Sequence, residues 1–272
     1  MSPRVFLNGA TVMTTPTDRS LMVAKEAGFA GIEARAERLL GSPDEVRTAA
    51  KAVRDGEVWS LNGVRLSLHP DGTIDAATLR ADLGPRLRIT RELRAPYLLA
   101  VPPRIAGLSP EQALAGIRAG LVLAQDLAAE QRVKVAFEFL GFADCPINSP
   151  ALAAEAVAGV EGVDLVLDSC HWHASGSRPV EELPVQRLRM VHLNDAPAKP
   201  PREIEDADRI LPLEGVIRLP ELVRDLTQHG YAGPWSLETF NPGYWERDPL
   251  EVARQGRAAL DRLFAKATMP AS

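Results

Sequence analysis

The 272-residue sequence contains few cysteines and no long hydrophobic run. Its two cysteines, Cys145 and Cys170, lack the spacing of a disulfide framework, so we expect free thiols and a reducing compartment. No apolar segment approaches the roughly 20 residues that span a bilayer. The N-terminus also lacks the apolar core of a signal peptide. We therefore expect a cytoplasmic protein with no membrane partner.

The sequence also lacks a surplus of basic residues. Its formal net charge is −5, with 31 lysines and arginines against 36 aspartates and glutamates. No Lys/Arg-rich tract stands apart from the rest of the chain. Because nucleic-acid-binding domains usually carry a basic stripe or surface, the composition argues against a nucleic-acid partner.

What the sequence does contain is an alternation of short apolar runs with longer stretches of helical periodicity. Near-continuous apolar runs are typical of strands that are buried between a barrel interior and covering helices. Strand–helix units of this kind build parallel sheets, and eight of them favour a closed (β/α)8 TIM barrel. The predicted strands are residues 5–8, 30–35, 58–62, 97–102, 134–139, 164–169, 189–194 and 234–240.

The length suits one barrel domain over residues 1–272, and no low-complexity linker divides the chain. Asp18 is expected to cap the first helix, while Ser109-Pro110 and Asp248-Pro249 are expected to begin two later helices. The alternative fold is a doubly wound sheet. That fold would need a glycine-rich phosphate turn after the first strand, which residues 8–11 do not provide.

Four successive predicted strands each carry one possible metal ligand near the C-terminal end. These residues are Glu138, Asp168, His192 and Glu238. A carboxylate in an apolar strand is costly to bury unless it is paired or bound to a metal. Because strand ends converge at the mouth of a barrel, we expect one divalent ion there: Mn²⁺, Zn²⁺, Co²⁺ or Mg²⁺. Ion pairing of each carboxylate is the alternative, and a structural zinc site at residues 170–173 would need more cysteines.

Other polar residues near predicted strand ends have two interpretations each. His171 and His173 either contact a substrate or lie in a solvated loop. Asp195 is predicted to orient His192 through a hydrogen bond. Asn8, Glu33 and Asn62 could each form a hydrogen bond with a polyol substrate. The alternative is a role in a turn for the two asparagines and a surface ion pair with Arg35 for Glu33.

The longest irregular stretch, residues 196–216, follows the seventh predicted strand and contains four prolines. Long loops in compact domains are usually functional, so we expect a lid over the barrel mouth. Arg202 and Arg209 lie in this loop among several carboxylates. Either one of them folds over the site to orient an anionic intermediate, or both form exposed ion pairs.

Several of these segments together resemble the xylose isomerase-like TIM barrel family of sugar isomerases and epimerases, and within it the inosose (2-keto-myo-inositol) isomerases. The similar segments are residues 135–141, 165–173, 192–195, 206–209, 215–217 and 236–245. Two positions differ from the inosose isomerase pattern, which has Glu at the position of Gly9 and a Pro-Gly-x-Gly turn at residues 212–215.

The resemblance implies a site and an activity. The implied metal ligands are Glu138, Asp168, His192 and Glu238. The implied catalytic and substrate-binding residues are Glu138, Glu238, His171 and Arg209. The implied reaction moves a proton next to a carbonyl of a small polyol or keto-sugar, with inosose as the expected substrate, in an enzyme that could form a homo-oligomer.

The same ligands serve other reactions, which stay open as alternatives. A dehydratase of a keto-cyclitol or a dehydroshikimate-like compound uses the same proton abstraction. An abasic-site endonuclease is disfavoured by the net charge and by the presence of only five histidines. A non-catalytic sugar-binding barrel is disfavoured because all four implied ligands are retained.

Overall fold

The computed structural model describes residues 3–269, in which eight parallel strands form one closed barrel. Each strand pairs with its neighbours in sequence, and the last strand closes the ring by pairing with the first. The strands are β1 Val5–Asn8, β2 Ile32–Arg35, β3 Val58–Arg65, β4 Tyr97–Val101, β5 Lys134–Glu138, β6 Val163–Asp168, β7 Leu188–Leu193 and β8 Trp235–Leu237. The predicted (β/α)8 barrel is therefore confirmed.

Helices follow the strands and cover the barrel. They are α1 Thr17–Glu26, α2 Ala36–Leu39, α3 Pro43–Ala52, α4 Ala76–Glu92, α5 Pro110–Glu130, α6 Pro150–Val157, α7 Ser169–Ala174, α8 Leu219–Gln228, α9 Pro242–Trp245 and α10 Pro249–Ala267. Ser109 and Asp248 cap α5 and α10 as predicted. The prediction for Asp18 was wrong, because α1 begins at Thr17 and places Asp18 in its first turn, where a negative charge suits the helix dipole. Within residues 3–269, no helix has the length and apolar character to cross a membrane.

The barrel interior consists of an apolar layer with a polar layer above it. The apolar layer is a cluster of Phe6, Trp59, Tyr97, Leu99, Ala136, Val166 and Met190. Side chains two residues apart on a strand point to the same face. The residues two positions beyond Ala136, Val166 and Met190 therefore also point inward, and these are Glu138, Asp168 and His192. The period of the strands thus places these polar groups at the C-terminal mouth.

β3 and β8 differ most in length from their predicted bounds. β3 continues three residues past Asn62 to Arg65, which pairs in register with Val101 of β4. β8 ends at Leu237, so Glu238 lies just beyond the strand. The longer β3 therefore carries an arginine to the mouth of the barrel.

Candidate active site

Glu138, Asp168, His192 and Glu238 lie together at the C-terminal mouth of the barrel. A potential ligand atom of each lies within 4.8 Å of the other three. Glu138 and Asp168 end β5 and β6, His192 is the penultimate residue of β7, and Glu238 follows β8. All four side chains are buried, with at most 4% exposure. The structure therefore brings the four predicted ligands into one group, which we call the ligand cluster.

The chemistry of the ligand cluster fits a divalent cation. Burial raises the pKa of Glu138 to about 7, and the charges of Glu238 and Asp168 oppose its ionisation further, although His192 favours it. Burial also raises the pKa of Asp168. Three carboxylates this close repel one another, and a cation among them would relieve the repulsion. Oxygen donors combined with one imidazole nitrogen suit Mn²⁺, Zn²⁺, Co²⁺ or Mg²⁺.

His192 contacts carboxylates through both ring nitrogens. Its Nδ1 lies 3.0 Å from Glu138 Oε1 and 3.2 Å from Glu238 Oε2. Its Nε2 lies 3.1 Å from Oε1 of Glu33. Burial lowers the pKa of His192, but the three carboxylates outweigh burial and raise this pKa well above its ordinary value. Because Glu33 occupies Nε2, Nδ1 is the nitrogen that faces the ligand cluster.

Glu33 is a functional neighbour that sequence reasoning underestimated. The surface-pair interpretation with Arg35 is wrong, since Glu33 is fully buried. Its carboxylate also accepts hydrogen bonds from Ser60 Oγ at 2.7 Å and Asn8 Nδ2 at 3.2 Å. The only sequence signal was a carboxylate in an apolar strand, the same signal that identified the ligand cluster.

Asp195 does not orient His192, and that prediction was wrong. Its carboxylate instead accepts backbone N–H groups of the loop after β7, from Ala196, Leu213 and Ile217. The three donor–acceptor distances are 2.9, 3.0 and 2.9 Å. Asp195 therefore fastens the two ends of this loop together, and the carboxylate that contacts His192 Nε2 is that of Glu33 on β2.

Arg209 extends from the loop after β7 into the ligand cluster. Its Nη1 donates to Glu238 Oε2 at 2.8 Å and to Asp168 Oδ2 at 3.2 Å. Its Nη2 donates to His171 Nε2 at 2.9 Å and pairs with Asp206 at 2.7 Å. Arg209 is only 2% exposed, so the structure selects the buried interpretation over the solvated loop.

Three other candidates of this region, His171, His173 and Arg202, differ in whether they reach the ligand cluster. His171 is buried, and burial together with the charge of Arg209 lowers its pKa well below the ordinary value, so the ring is neutral. His173 is partly exposed, with Nδ1 3.4 Å from Ser177 Oγ. Arg202 is exposed and donates to a backbone carbonyl. His171 therefore belongs to the site, whereas His173 and Arg202 lie outside it.

A cavity of about 370 Å³ opens onto the ligand cluster, a volume typical of small-molecule sites. Glu138, Glu238, His171 and Arg209 line one part of it. Other lining residues are Arg35, Asn62, Arg65 and Arg86. Sequence reasoning missed Arg65 and Arg86, because Arg65 lies beyond the predicted third strand and Arg86 lies within a helix.

The sequence is similar to one described protein family and to several curated proteins. A family model described as xylose isomerase-like TIM barrel matches residues 21–263. An inosose isomerase of Halalkalibacterium halodurans is 29% identical over 188 residues, which are 66% of this chain and 66% of that protein. An inosose isomerase of Bacillus subtilis is 34% identical over 145 residues, or 52% of each chain. The matched regions thus span from about half to just under two thirds of the length of these relatives.

Solved structures show the same architecture. The crystal structure of the IolI protein with a bound zinc atom superposes with a TM-score of 0.87 over 98% of this chain and 100% of that one. The two sequences are 23% identical. At this identity the likeness establishes a shared fold.

Proposed function

This chain belongs to the xylose isomerase-like TIM barrel family, and from that premise we propose that it is a metal-dependent isomerase or epimerase of a small polyol or keto-sugar. The observation that carries the proposal is the ligand cluster, four buried potential ligands within 4.8 Å of one another. The relatives named inosose isomerase make inosose the first substrate to test.

In this proposal the ligand cluster holds one divalent ion, which is Mn²⁺, Zn²⁺, Co²⁺ or Mg²⁺. The ligands are Glu138, Asp168, His192 and Glu238. When bound, such an ion acts as a Lewis acid that polarises a substrate carbonyl and makes the neighbouring C–H more acidic. Side chains of the protein transfer the proton of this C–H group.

Glu138 and Glu238 move the proton. A carboxylate removes the proton from the carbon next to the carbonyl, and the same or the opposite carboxylate returns it. Burial raises the pKa of Glu138 to about 7. Burial also opposes ionisation of Glu238, but His192 and Arg209 outweigh it and hold the pKa of Glu238 well below its usual range. Because both glutamates are also proposed ligands, each can act as the base only through a carboxylate oxygen that does not bind the ion.

Arg209 and His171 bind and orient the substrate. Arg209 Nε is buried and has no hydrogen-bond partner within residues 3–269, so it is available to a substrate oxygen. Buried donors are rarely left unused in folded proteins. His171 is fixed through its Nε2 by Arg209 at 2.9 Å and lines the same cavity. Together the two side chains hold a substrate oxygen beside the reacting carbons.

The proposal is tested by isotope exchange on purified protein of measured metal content. We expect about one divalent ion per chain, and deuterium incorporation next to the carbonyl of inosose in heavy water, observed by NMR. A chelator should abolish both. An isomerase conserves the formula of its substrate, whereas a dehydratase releases water and produces an enone that absorbs in the ultraviolet. Lack of exchange and conversion with inosose and a panel of ketoses, on metal-loaded protein, would contradict the proposal.

We further propose that residues 1–272 act as one barrel domain on a small-molecule substrate, without a nucleic-acid partner. The closed ring formed by β1 and β8, which lie near opposite ends of the sequence, supports this proposal. A homo-oligomeric state stays a prediction.

A further inference from the structure

The side of the cavity that faces the ligand cluster is lined by arginines. In a ring of eight strands, β2, β3 and β4 lie opposite β6, β7 and β8. Arg35 ends β2, Arg65 ends β3, and Arg86 projects from α4. The carboxylate that lines this side is Glu37, which pairs with Arg35 at 2.8 Å. We call Arg35, Arg65 and Arg86 the arginine wall. Arg86 lies 3.4 Å from a carboxylate oxygen of Asp82, so among the described residues Arg65 is the member of the wall without a carboxylate partner.

Arg35 occupies its position because residue 9 has no side chain. A Cβ atom at Gly9 would lie 2.9 Å from Arg35 Cγ and 3.2 Å from the carbonyl oxygen of Glu33. The guanidinium is buried, with its Cζ 4.8 Å from the centroid of the Phe240 ring. Its Nη1 lies 3.4 Å from Glu238 Oε1. The glycine therefore makes room for a fixed positive charge between the ligand cluster and the rest of the arginine wall.

Two donors on this side have no partner within residues 3–269. Asn62 pairs in register with Arg35, is 1% exposed and lines the cavity, and its Nδ2 makes no hydrogen bond. Its Oδ1 lies next to Ser60 Oγ, the hydroxyl that donates to Glu33. The guanidinium of Arg65 is exposed at the mouth and forms neither an ion pair nor a hydrogen bond with the described residues. An unused buried amide and an unused guanidinium that line the same cavity indicate an oxygen-rich ligand group.

We propose that the arginine wall and Asn62 bind an anionic group of the substrate, a carboxylate or a phosphate, while its carbonyl end lies at the ligand cluster. This inference rests on the proposed function and narrows its substrate class. Guanidinium groups match both anions in geometry and charge. A cleft with low-dielectric walls strengthens the attraction. An uncharged polyol would use the Asn62 donor but would gain little from the unpaired charge of Arg65.

Matched ketoses on the metal-loaded enzyme test this inference. D-fructose, D-fructuronate and D-fructose 6-phosphate share the C2 ketone and carry a hydroxyl, a carboxylate or a phosphate at the far end. The measurements are kcat/KM for deuterium incorporation next to the carbonyl and Kd by calorimetry. We expect at least one anionic ketose to exceed fructose by roughly tenfold, mainly through KM and Kd. The better of the two anionic ketoses identifies the anion.

Arg65→Gln is the informative variant, because Arg65 is exposed and its replacement does not disturb the barrel core. We expect the ratio of kcat/KM for the anionic ketose to that for fructose to fall about tenfold. The control is Arg262→Gln, an exposed arginine on α10 outside the cavity, which should leave the ratio unchanged. Gly9→Ala, which displaces Arg35, should lower the same ratio.

The outcomes separate this inference from the proposed function. If inosose or fructose is turned over, but anionic ketoses gain nothing and Arg65→Gln changes no ratio, the anionic subsite is refuted and the isomerase stands. If no ketose is turned over, but an anionic ketose binds more tightly than fructose and loses that advantage in Arg65→Gln, the anionic subsite is supported. The proposed isomerase function is then refuted.

Discussion

Oε1 of Glu33 lies 3.1 Å from Nε2 of His192, so that the opposite nitrogen of the ring faces the ligand cluster. The contact crosses the barrel from β2 to β7, and both side chains are fully buried. A carboxylate in this position fixes the orientation of an imidazole ligand and raises its basicity. Glu33 is therefore a positioning residue for the proposed metal centre.

Glu33→Gln and Glu33→Leu should differ in their effect on metal affinity. The glutamine keeps an oxygen that accepts from His192 Nε2, so metal content should be retained. Leucine fills a similar volume without an acceptor, and the Kd for Zn²⁺ should rise about 10–100-fold. Competition with a chromogenic chelator measures the Kd, and thermal unfolding verifies that both variants fold. Wild-type affinity for Zn²⁺ in Glu33→Leu would show that Glu33 does not position His192 for metal binding.

Asp168→Asn and His192→Ala should each weaken metal binding strongly, because each removes one proposed ligand. Asp168 also caps α7 by accepting from the His171 N–H at 2.9 Å. Asparagine caps helices as well as aspartate does, so the first variant should keep its fold. Metal content by mass spectrometry and activity after reconstitution are the measurements. Full occupancy and activity in both variants would end the single-site hypothesis.

Metal affinity should increase with pH. In the metal-free protein the pKa of Glu138 is raised to about 7 by burial, and that of His192 is raised well above its ordinary value by its carboxylate neighbours. Both groups must lose a proton to act as ligands, so binding releases protons. For each proton displaced, the affinity should rise roughly tenfold per pH unit below the relevant pKa. Calorimetry at pH 6 and pH 8 in buffers of different ionisation enthalpy measures this, and a pH-independent affinity would contradict it.

Arg209→Ala should impair catalysis without loss of metal. The guanidinium contacts Glu238 and Asp168 but cannot be a metal ligand. Its removal eliminates a positive charge that would repel the bound ion. We expect kcat/KM to fall by about 100-fold, as for loss of a buried charged donor to the substrate. Arg202→Ala, an exposed change in the same loop, is the matched control. Wild-type kinetics in Arg209→Ala would return Arg209 to a structural role.

Asp195→Ala should loosen the loop over residues 196–216, which we predict to act as a lid. Asp195 exchanges two backbone hydrogen bonds of 2.9 Å with Ile210, the residue after Arg209. Without its carboxylate, hydrogen exchange across the loop should accelerate, and kcat/KM should fall with metal content unchanged. Asp195→Asn keeps one oxygen acceptor and should recover part of the activity. If exchange accelerates and the kinetics do not change, the loop is not a lid.

The fold class and the membership of the ligand cluster could both be predicted from the order of residues along the chain. Apolar runs separated by helical stretches predict the eight strands, and strand ends of a barrel meet at one mouth. The period of two residues then places Glu138, Asp168 and His192 above an interior apolar layer. These features follow from the alternation of side chains along each strand and from the number of strand–helix units, and both can be read from the sequence.

The residues that surround the ligand cluster could be identified only from the three-dimensional arrangement of the strands. Glu33 rather than Asp195 holds His192, and Arg35 enters the cavity through the space left at Gly9. These contacts join strands that are distant in sequence, and they depend on the register between neighbours. β2 and β3 shift register between Ile32 and Ala34, and such local shifts change which side chains meet at the mouth. A pattern along one strand carries no information about that shift, because the shift is set by packing between strands.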